Sequence, residues 1–394
     1  MRKSIDNKVI SFDPRTGLLR TRSFLNNNIS RRGFGRGAAA AGAAAAIAGS
    51  MPKAAKAEGD LTYVGWQGYD DGINANDWFA SRGITLQPTY ITAGNEEIIA
   101  LLQSGGKGNV DVTSPCALYM PFYAEVGIAE PIDLDRVPNY ANLFPEFQGM
   151  PMLEFDGQGW GTPYTWGTVS LMYNPALVEE TPTSWMDMMD PRYQGKVAFV
   201  HDLIGVMPSF IATAGNTRTP WLVDQATLDK ATDLIIQIKK EYALTVAPGY
   251  GDLGTLFSTG DVVMAPGWEP TTMWGGAEAV ELKWLIPKEG ALVFVDNLSI
   301  VPGAPEMDLA YETINQSLSP EAQATCSNLN ATGAVVRDAV PMIDEKTRAL
   351  YPYDDIAGWF EAAGGITQLW PTNPDGEHVT FADVTAAWER FLSA

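Results

Sequence analysis

Strand-like and helix-like segments alternate along most of this 394-residue chain, and this alternation is what most limits its fold. Strands are predicted over 61–66, 83–90 and 110–114, and a helix is predicted over 95–103, where Ser104 and a glycine pair end the apolar pattern. Strand, helix and strand at this spacing predict a largely parallel α/β sheet, whose ligand crevice lies at the carboxyl ends of the strands.

The alternation restarts in the second half of the chain. The predicted elements there are strands at 169–173, 196–200, 261–265, 283–286, 292–295 and 298–301, with helices at 228–242, 307–318 and 320–329. A chain of this length exceeds the size at which a single hydrophobic core stops growing. We therefore expect two domains.

The N-terminal segment has the features of an export signal. The motif Ser30-Arg31-Arg32-Gly33-Phe34 precedes a run of small apolar residues that ends at Ser50. This run is too short to span a bilayer, which needs about 20 apolar residues. Ala55-Lys56-Ala57 then offers the small-x-small pattern that a signal peptidase accepts. We predict a twin-arginine signal over 1–57 and a periplasmic mature chain; a disordered Ala/Gly/Arg tail is the alternative.

The mature chain is strongly acidic. Removing 1–57 takes away 11 of the 26 Lys and Arg and 2 of the 47 Asp and Glu, which leaves 15 basic and 45 acidic residues and a formal charge of −30. Such a field repels nucleic acid and anionic lipid and concentrates cations near a cleft. Adaptation to a salty habitat is a compatible explanation. We expect no nucleic-acid partner.

Cysteine and histidine are too scarce for most metal sites. Cys116 and Cys326 are the only cysteines, which excludes a disulfide scaffold and a Cys-based zinc site but leaves a single bridge open. His201 and His378 are the only histidines, so a histidine-rich metal site is excluded. We therefore expect no metal and no cofactor.

Six short motifs follow one another in order through the mature chain. They are PYTWGTVSLMYN (163–174), SW (184–185) with PRYQGKVA (191–198), STGDVVM (258–264), PKEG (287–290), FVDNL (294–298) and LSPEA (318–322). Together they resemble the spermidine/putrescine-binding branch of the bacterial extracellular solute-binding proteins, the periplasmic receptors of ATP-binding-cassette importers. The resemblance covers nearly the whole mature chain.

This resemblance implies an α/β, two-lobed periplasmic binding protein fold of type II with hinge crossings between the lobes. Lobe one would take 58–165 and 295–340, and lobe two would take 166–294 and 341–394. The crossings would fall at Thr165-Trp166 and near Asp296, where hinge and pocket floor coincide. The resemblance further implies a monomeric receptor without catalysis, an amine ligand and permease partners in the inner membrane, with ligand closing the lobes by a hinge motion.

A polyamine needs carboxylates for its ammonium groups and aromatic faces along its methylene stem. The resemblance places a stacking ring at Trp268, an amine-pairing carboxylate at Asp296 and a further acid at Asp202, which could instead be a helix N-cap. Glu269 is added because it follows Trp268 directly. The full expected ligand site is Trp66, Gln67, Ser114, Trp166, Asp202, Trp268, Glu269, Phe294, Asp296 and Thr332.

Three positions depart from the polyamine-binding pattern. Gly205 stands where that branch has a second acid, and Cys116 and Thr332 stand where it has tyrosines. These changes favour a shorter diamine or another cationic or zwitterionic amine over a full-length spermidine. Glu269, Asp70 or Asp71 could restore the lost charge.

Two other functions stay open. The same fold could bind an anion, iron or a compatible solute, although the pocket motifs hold little Arg for an anion clamp and little His for ferric iron. A secreted hydrolase would need paired carboxylates that no spacing singles out. The chain has no Gly-x-Ser-x-Gly elbow, no His-Glu-x-x-His motif and no phosphate loop, so we expect no enzymatic activity.

Overall fold

The computed structural model describes residues 8–13, 18–23, 59–91 and 94–394. The twin-arginine motif, the apolar run and the cleavage pattern therefore lie outside the described residues. Near the N-terminus, β1 (Lys8–Asp13) pairs antiparallel with β2 (Leu18–Ser23). Within the described ranges, none of the helices has the length and apolar character needed to cross a membrane.

The remaining elements alternate as the sequence predicts. The strands are β3 (Asp60–Gly65), β4 (Thr85–Tyr90), β5 (Val112–Thr113), β6 (Glu154–Phe155), β7 (Gln158–Gly159), β8 (Thr162–Tyr173), β9 (Val197–Val200), β10 (Ala243–Ala247), β11 (Met264–Trp268), β12 (Lys283–Leu285), β13 (Leu292–Ile300) and β14 (Gly333–Ala334). The helices are α1 (Tyr69–Ile73), α2 (Trp78–Ser81), α3 (Asn95–Leu101), α4 (Met120–Glu125), α5 (Leu203–Gly215), α6 (Gln225–Glu241), α7 (Tyr250–Thr259), α8 (Met307–Ser317), α9 (Pro320–Asn330), α10 (Glu345–Arg348), α11 (Ile356–Ala363) and α12 (Phe381–Ser393).

One sheet runs through both halves of the molecule. Its strand order is β10-β9-β11-β8-β13-β5-β3-β4, with β12 and β14 also paired to β8. The outer strands pair in parallel, β3 with β4 and β5, and β9 with β10 and β11. The two long central strands β8 and β13 pair antiparallel and are buried along their whole length. The predicted parallel sheet thus forms at each end, and an antiparallel centre joins the ends.

The strands β8 and β13 connect two separate hydrophobic cores. Trp166 of β8 packs in the first core and Leu171 of the same strand packs in the second. In the C-terminal segment, 343–363 contributes to the first core, and from Trp370 onward the chain packs in the second. The sequence placed all of 341–394 in lobe two, so the packing of 343–363 differs from that assignment. The predicted lobe boundaries otherwise stay a prediction.

Several elements differ from the sequence prediction. The predicted strands 292–295 and 298–301 are one strand, β13. Its pairing register with β8 shifts between Asp296 and Asn297, so the polar pair interrupts the ladder without ending the strand. The helix α5 was predicted only as a helix that Asp202 opens, without bounds, and α7 was not predicted, because Pro208 lies inside α5 and glycines interrupt the apolar pattern of both. Both helices begin next to the candidate site.

Candidate functional site

The candidate site lies where β8 and β13 pair between the two cores. Asp296 lies opposite Thr165, and Phe294 lies opposite Gly167. Because side chains alternate along a strand, Asp296 and Phe294 share one face of β13. A Cβ on Gly167 would come within 2.7 Å of the Phe294 ring, so the glycine leaves the space that the ring occupies.

Asp296 is a buried carboxylate at this crossing. It is 5% exposed, and its Oδ2 accepts a 2.6 Å hydrogen bond from the hydroxyl of Tyr69, which in turn accepts one of 2.9 Å from Thr165 Oγ1. Burial raises the pKa of Asp296 to about 6, although hydrogen bonds from Tyr69 and Cys116 lower it. No basic side chain in the described ranges forms an ion pair with it.

An aromatic wall borders the same crossing. Trp268, at the end of β11, makes edge contacts with Tyr250, Trp274 and Phe294, with ring centroids 5.8, 5.7 and 5.4 Å away. We call these four residues the aromatic wall. Trp274 is 39% exposed, so the wall extends from the crossing to the surface. The indole N–H of Trp268 is buried and has no hydrogen-bond partner in the described structure.

Asp202 caps α5 and also accepts a hydrogen bond from Tyr250 of the aromatic wall. Its Oδ1 accepts a 2.9 Å hydrogen bond from the N–H of Gly205, and its Oδ2 accepts one of 2.7 Å from the hydroxyl of Tyr250. The N-cap role and the contact with the wall are therefore both present. A Cβ at Gly205 would lie 2.4 Å from Asp202 Oδ2 and 2.8 Å from the Tyr250 hydroxyl. The Asp202–Tyr250 bond thus requires glycine at 205.

Glu269 lies beside the wall, directly after Trp268 in the chain. It is 2% exposed, and its two carboxylate oxygens accept the N–H of Thr168 at 3.1 and 3.0 Å, while the Thr168 hydroxyl donates to Oε1. Burial raises its pKa to about 7. A Cβ on Gly167 would come within 2.9 Å of Oε2, which places the carboxylate against the backbone beneath Phe294.

Loops after β3 and β5, two strands of the first core, bring further residues to the crossing. Ser114 Oγ lies 2.6 Å from the Tyr63 hydroxyl and accepts the N–H of Trp66 at 3.2 Å. Two residues further on, Cys116 forms a β-bridge with Asp296. Trp66 is partly buried and Gln67 is exposed at the start of the same loop. The structure therefore brings Ser114 and Asp296 into one region.

Two predicted site residues are core residues. Trp166 is fully buried, its indole N–H donates a 3.0 Å hydrogen bond to Ala334, and its ring packs against Phe360. Thr332 is also fully buried, with its hydroxyl 4.0 Å from the sulfur of Cys326. Ligand contact by these two side chains stays an untested prediction, and we leave them out of the proposed site.

Two residues of the site were missed from the sequence. Tyr69 follows Trp66 by three positions, after the end of the first sheet strand, where ligand groups collect; the sequence interpretation counted it among the tyrosines of the pocket segments but did not place it in the ligand site. Tyr250 opens α7 directly after the unpredicted strand β10. Each donates a hydrogen bond to a carboxylate: Tyr69 to that of Asp296 and Tyr250 to that of Asp202.

The two cysteines are buried free thiols and form no disulfide. Burial raises the pKa of both, that of Cys326 to about 11, so both are protonated at neutral pH. Among the described residues, His, Cys, Asp and Glu nowhere gather in a group of three able to hold a metal ion.

A family model described as bacterial extracellular solute-binding protein matches residues 118–357, which is more than half of the chain. The chain belongs to this family.

This solute-binding protein is 24% identical to the putrescine-binding periplasmic protein PotF of Escherichia coli, over 80% of this chain and 89% of that protein. It is 25% identical to the spermidine/putrescine-binding periplasmic protein of Salmonella typhimurium, over 71% of this chain and 78% of the other. The TpPotD lipoprotein of Treponema pallidum superimposes with a TM-score of 0.70 at 20% identity, covering 84% of this chain and 99% of that one. These likenesses confirm the predicted two-lobed α/β fold.

Proposed function

We propose that this protein is the periplasmic receptor of an ATP-binding-cassette importer and that it binds a small organic cation of the putrescine or polyamine class. One observation carries the proposal: Asp296 is a buried carboxylate beside an aromatic wall, and no basic side chain in the described ranges neutralises it. A buried unpaired charge is very costly, so the site favours a ligand that brings a positive charge.

The ligand's two parts match the two parts of the site. One ammonium group would pair with Asp296, where the Tyr69 hydroxyl keeps the carboxylate oriented. The methylene stem would lie on Trp268 and Phe294, where apolar contact and cation–π attraction both contribute. Asp202, which accepts a hydrogen bond from Tyr250, supplies a second negative charge at the far end of the wall. The putrescine and spermidine named for the relatives have this chemistry.

The charge arrangement favours a short diamine. Gly205 excludes a second acidic side chain beside Asp202, because even a Cβ there would meet the Asp202 carboxylate. A triamine would therefore leave one ammonium group without a direct partner. We expect putrescine to bind more tightly than spermidine.

The receptor role implies two further steps of transport, closure of the lobes and recognition by the permease. Ligand held at the crossing would stabilise the closed lobes, and permease subunits in the inner membrane would recognise that closed form. The protein would act as a monomer and catalyse no reaction. A thermal-shift screen of the mature chain against putrescine, spermidine, γ-aminobutyrate and glutamate tests the ligand class. A shift with the amines supports the proposal, and a shift with glutamate alone contradicts it.

We also propose export by the twin-arginine pathway. The motif at Arg31-Arg32, the apolar run and the cleavage pattern support it because they follow one another in the order that a signal requires. Replacing both arginines with lysine should retain the precursor in the cytoplasm. Unchanged export of this double variant would contradict the assignment.

A further inference from the structure

The side chain of Glu269 replaces a backbone partner at the end of the pairing between β11 and β8. The backbone pairing of β11 with β8 ends at Trp268 opposite Val169. The next N–H along β8, that of Thr168, is taken by the side chain of Glu269 instead of by a strand. The carboxylate is therefore fixed next to the ring of Phe294 and is shut off from solvent.

The surroundings of Glu269 contain no positive charge in the described structure. From β8 it faces the hydroxyl and N–H of Thr168, and from β13 it faces the ring of Phe294. The titratable groups near it are Tyr250 of α7 and Tyr351 after α10, and burial raises the pKa of both so that they are neutral. Asp202 lies beyond Tyr250 and is acidic as well.

We propose that Glu269 is a buried counter-charge for the ligand, so that a cation binding on the aromatic wall releases a proton from its carboxyl group. This inference rests on the proposed function. A cation on the wall stabilises a negative charge on the neighbouring carboxylate, because the carboxylate is buried away from water and screening there is weak. By thermodynamic linkage, a ligand that stabilises the ionised form of Glu269 also binds more tightly when Glu269 is ionised.

Glu269 is poised for this exchange at neutral pH. Burial raises its pKa to about 7, so the protonated and ionised forms coexist there. Primary amines resemble the Lys side chain, with a pKa of about 10.4, and keep their protons throughout this range. Affinity for a diamine should therefore rise as the pH goes from 6 to 8, and the change should come from the protein.

Calorimetry of the mature protein with putrescine tests this directly. Titrations at pH 6, 7 and 8, each in two buffers of different ionisation enthalpy, measure the protons released on binding. We expect roughly half a proton at pH 7 for the wild type and far less for Glu269→Gln, in which only Asp296 still titrates. The variant keeps a carbonyl oxygen for the Thr168 N–H. Its affinity should be several-fold weaker at pH 8 and nearly independent of pH above 7.

Two further variants separate titration from structure. Thr168→Val keeps the charge but removes the hydroxyl that stabilises it, so it should move the midpoint of the pH profile upward. Glu289→Gln is the matched control, because Glu289 also accepts from a hydroxyl, that of Ser184, and from the next N–H, that of Trp185. It should release protons as the wild type does.

The outcomes distinguish this inference from the proposed function. If the wild type binds neither putrescine nor spermidine at any pH, the proposed function fails and the linkage fails with it. If it binds putrescine but exchanges no protons at pH 7, or if Glu269→Gln releases as many as the wild type, only the counter-charge role is overturned. A carbon-13 titration of the glutamate carboxyl groups in the unliganded protein shows independently whether Glu269 ionises near pH 7.

Discussion

The hydroxyl of Tyr69 donates a 2.6 Å hydrogen bond to Oδ2 of Asp296 across a separation of 227 residues. This bond joins α1, which packs in the first core, to β13, the strand that crosses between the cores. It also stabilises the ionised form of the carboxylate that we place against the ligand's ammonium group. Ligand affinity should therefore depend on a residue that precedes the matched family motifs.

Tyr69→Phe should weaken putrescine binding about tenfold at pH 7, since a hydrogen bond to a charged group contributes about 1.5–3 kcal/mol. The loss should be smaller at pH 8.5, because the pKa of Asp296 would rise without the donor while the group would still ionise there. Calorimetry at the two pH values measures both effects. Tyr140→Phe removes a similar bond, to Glu154, away from the site and should leave affinity unchanged. Equal losses in the two variants would argue against a role for Tyr69.

Trp268→Ala should lower affinity for amines by about tenfold to a hundredfold, because a desolvated cation–π contact contributes about 2 kcal/mol in addition to the lost apolar surface. Trp268→Phe should restore much of the loss. Trp160, which stacks on Phe155 away from the aromatic wall, provides the control, and Trp160→Ala should bind as the wild type does. Calorimetry with all three variants makes the comparison, and full affinity in Trp268→Ala would exclude this ring from the site.

The unliganded protein should lose stability as the pH rises from about 4 to 7. The folded-state pKa values of Asp296 and Glu269 are raised to about 6 and 7, so the folded protein holds protons that the unfolded chain has released. Stability from these two groups is fully present below their unfolded pKa values and is lost by pH 7. Each contributes on the order of 3 kcal/mol, at 1.36 kcal/mol for each pKa unit.

Urea denaturation between pH 5 and 8 measures this loss. Glu269→Gln should reduce it by roughly half, because only Asp296 would still titrate between its raised pKa and its unfolded value. Saturating putrescine should oppose the loss by binding the ionised carboxylates. Parallel stability curves for the variant and the wild type across this range would contradict the account.

Gly205→Ala should disturb the far end of the site. The added methyl group would meet the carboxylate of Asp202 and the hydroxyl of Tyr250, and losing such a cap costs about 1 kcal/mol. Gly251→Ala is the matched control, because a Cβ there meets nothing within 4 Å and alanine favours the helix by about 1 kcal/mol. Thermal unfolding should show a lower midpoint for the first variant and an equal or higher one for the second. A higher midpoint for Gly205→Ala would contradict the packing at this helix.

Local patterns were sufficient for the long amphipathic helices but not for the crossing. The helices α6, α8 and α9 follow amphipathic periodicity and lie close to their predicted positions. Asp296 interrupts an apolar run, and we predicted two strands there, because no local rule shows that a buried carboxylate is held by Tyr69 from the other end of the chain.

For the site residues as well, the sequence supplied part of the answer and the three-dimensional packing supplied the rest. The resemblance identified Trp268, Phe294 and Asp296, which the structure gathers at one crossing. It gave no means of distinguishing a wall residue from a core residue, so Trp166 was included although Phe360 and other aromatic rings cover it. That contact depends on α11, which returns to the first core from the C-terminal segment.

Calorimetric titration of the mature wild type and Asp296→Asn with putrescine, under identical conditions at pH 8, tests the central claim most directly. The asparagine keeps the shape of the side chain and can still accept from Tyr69, but it carries no charge. We predict saturable binding by the wild type and at least a hundredfold weaker binding by the variant, with unfolding midpoints showing that both are folded. Equal affinities would contradict the account of Asp296 as the partner of a cationic ligand.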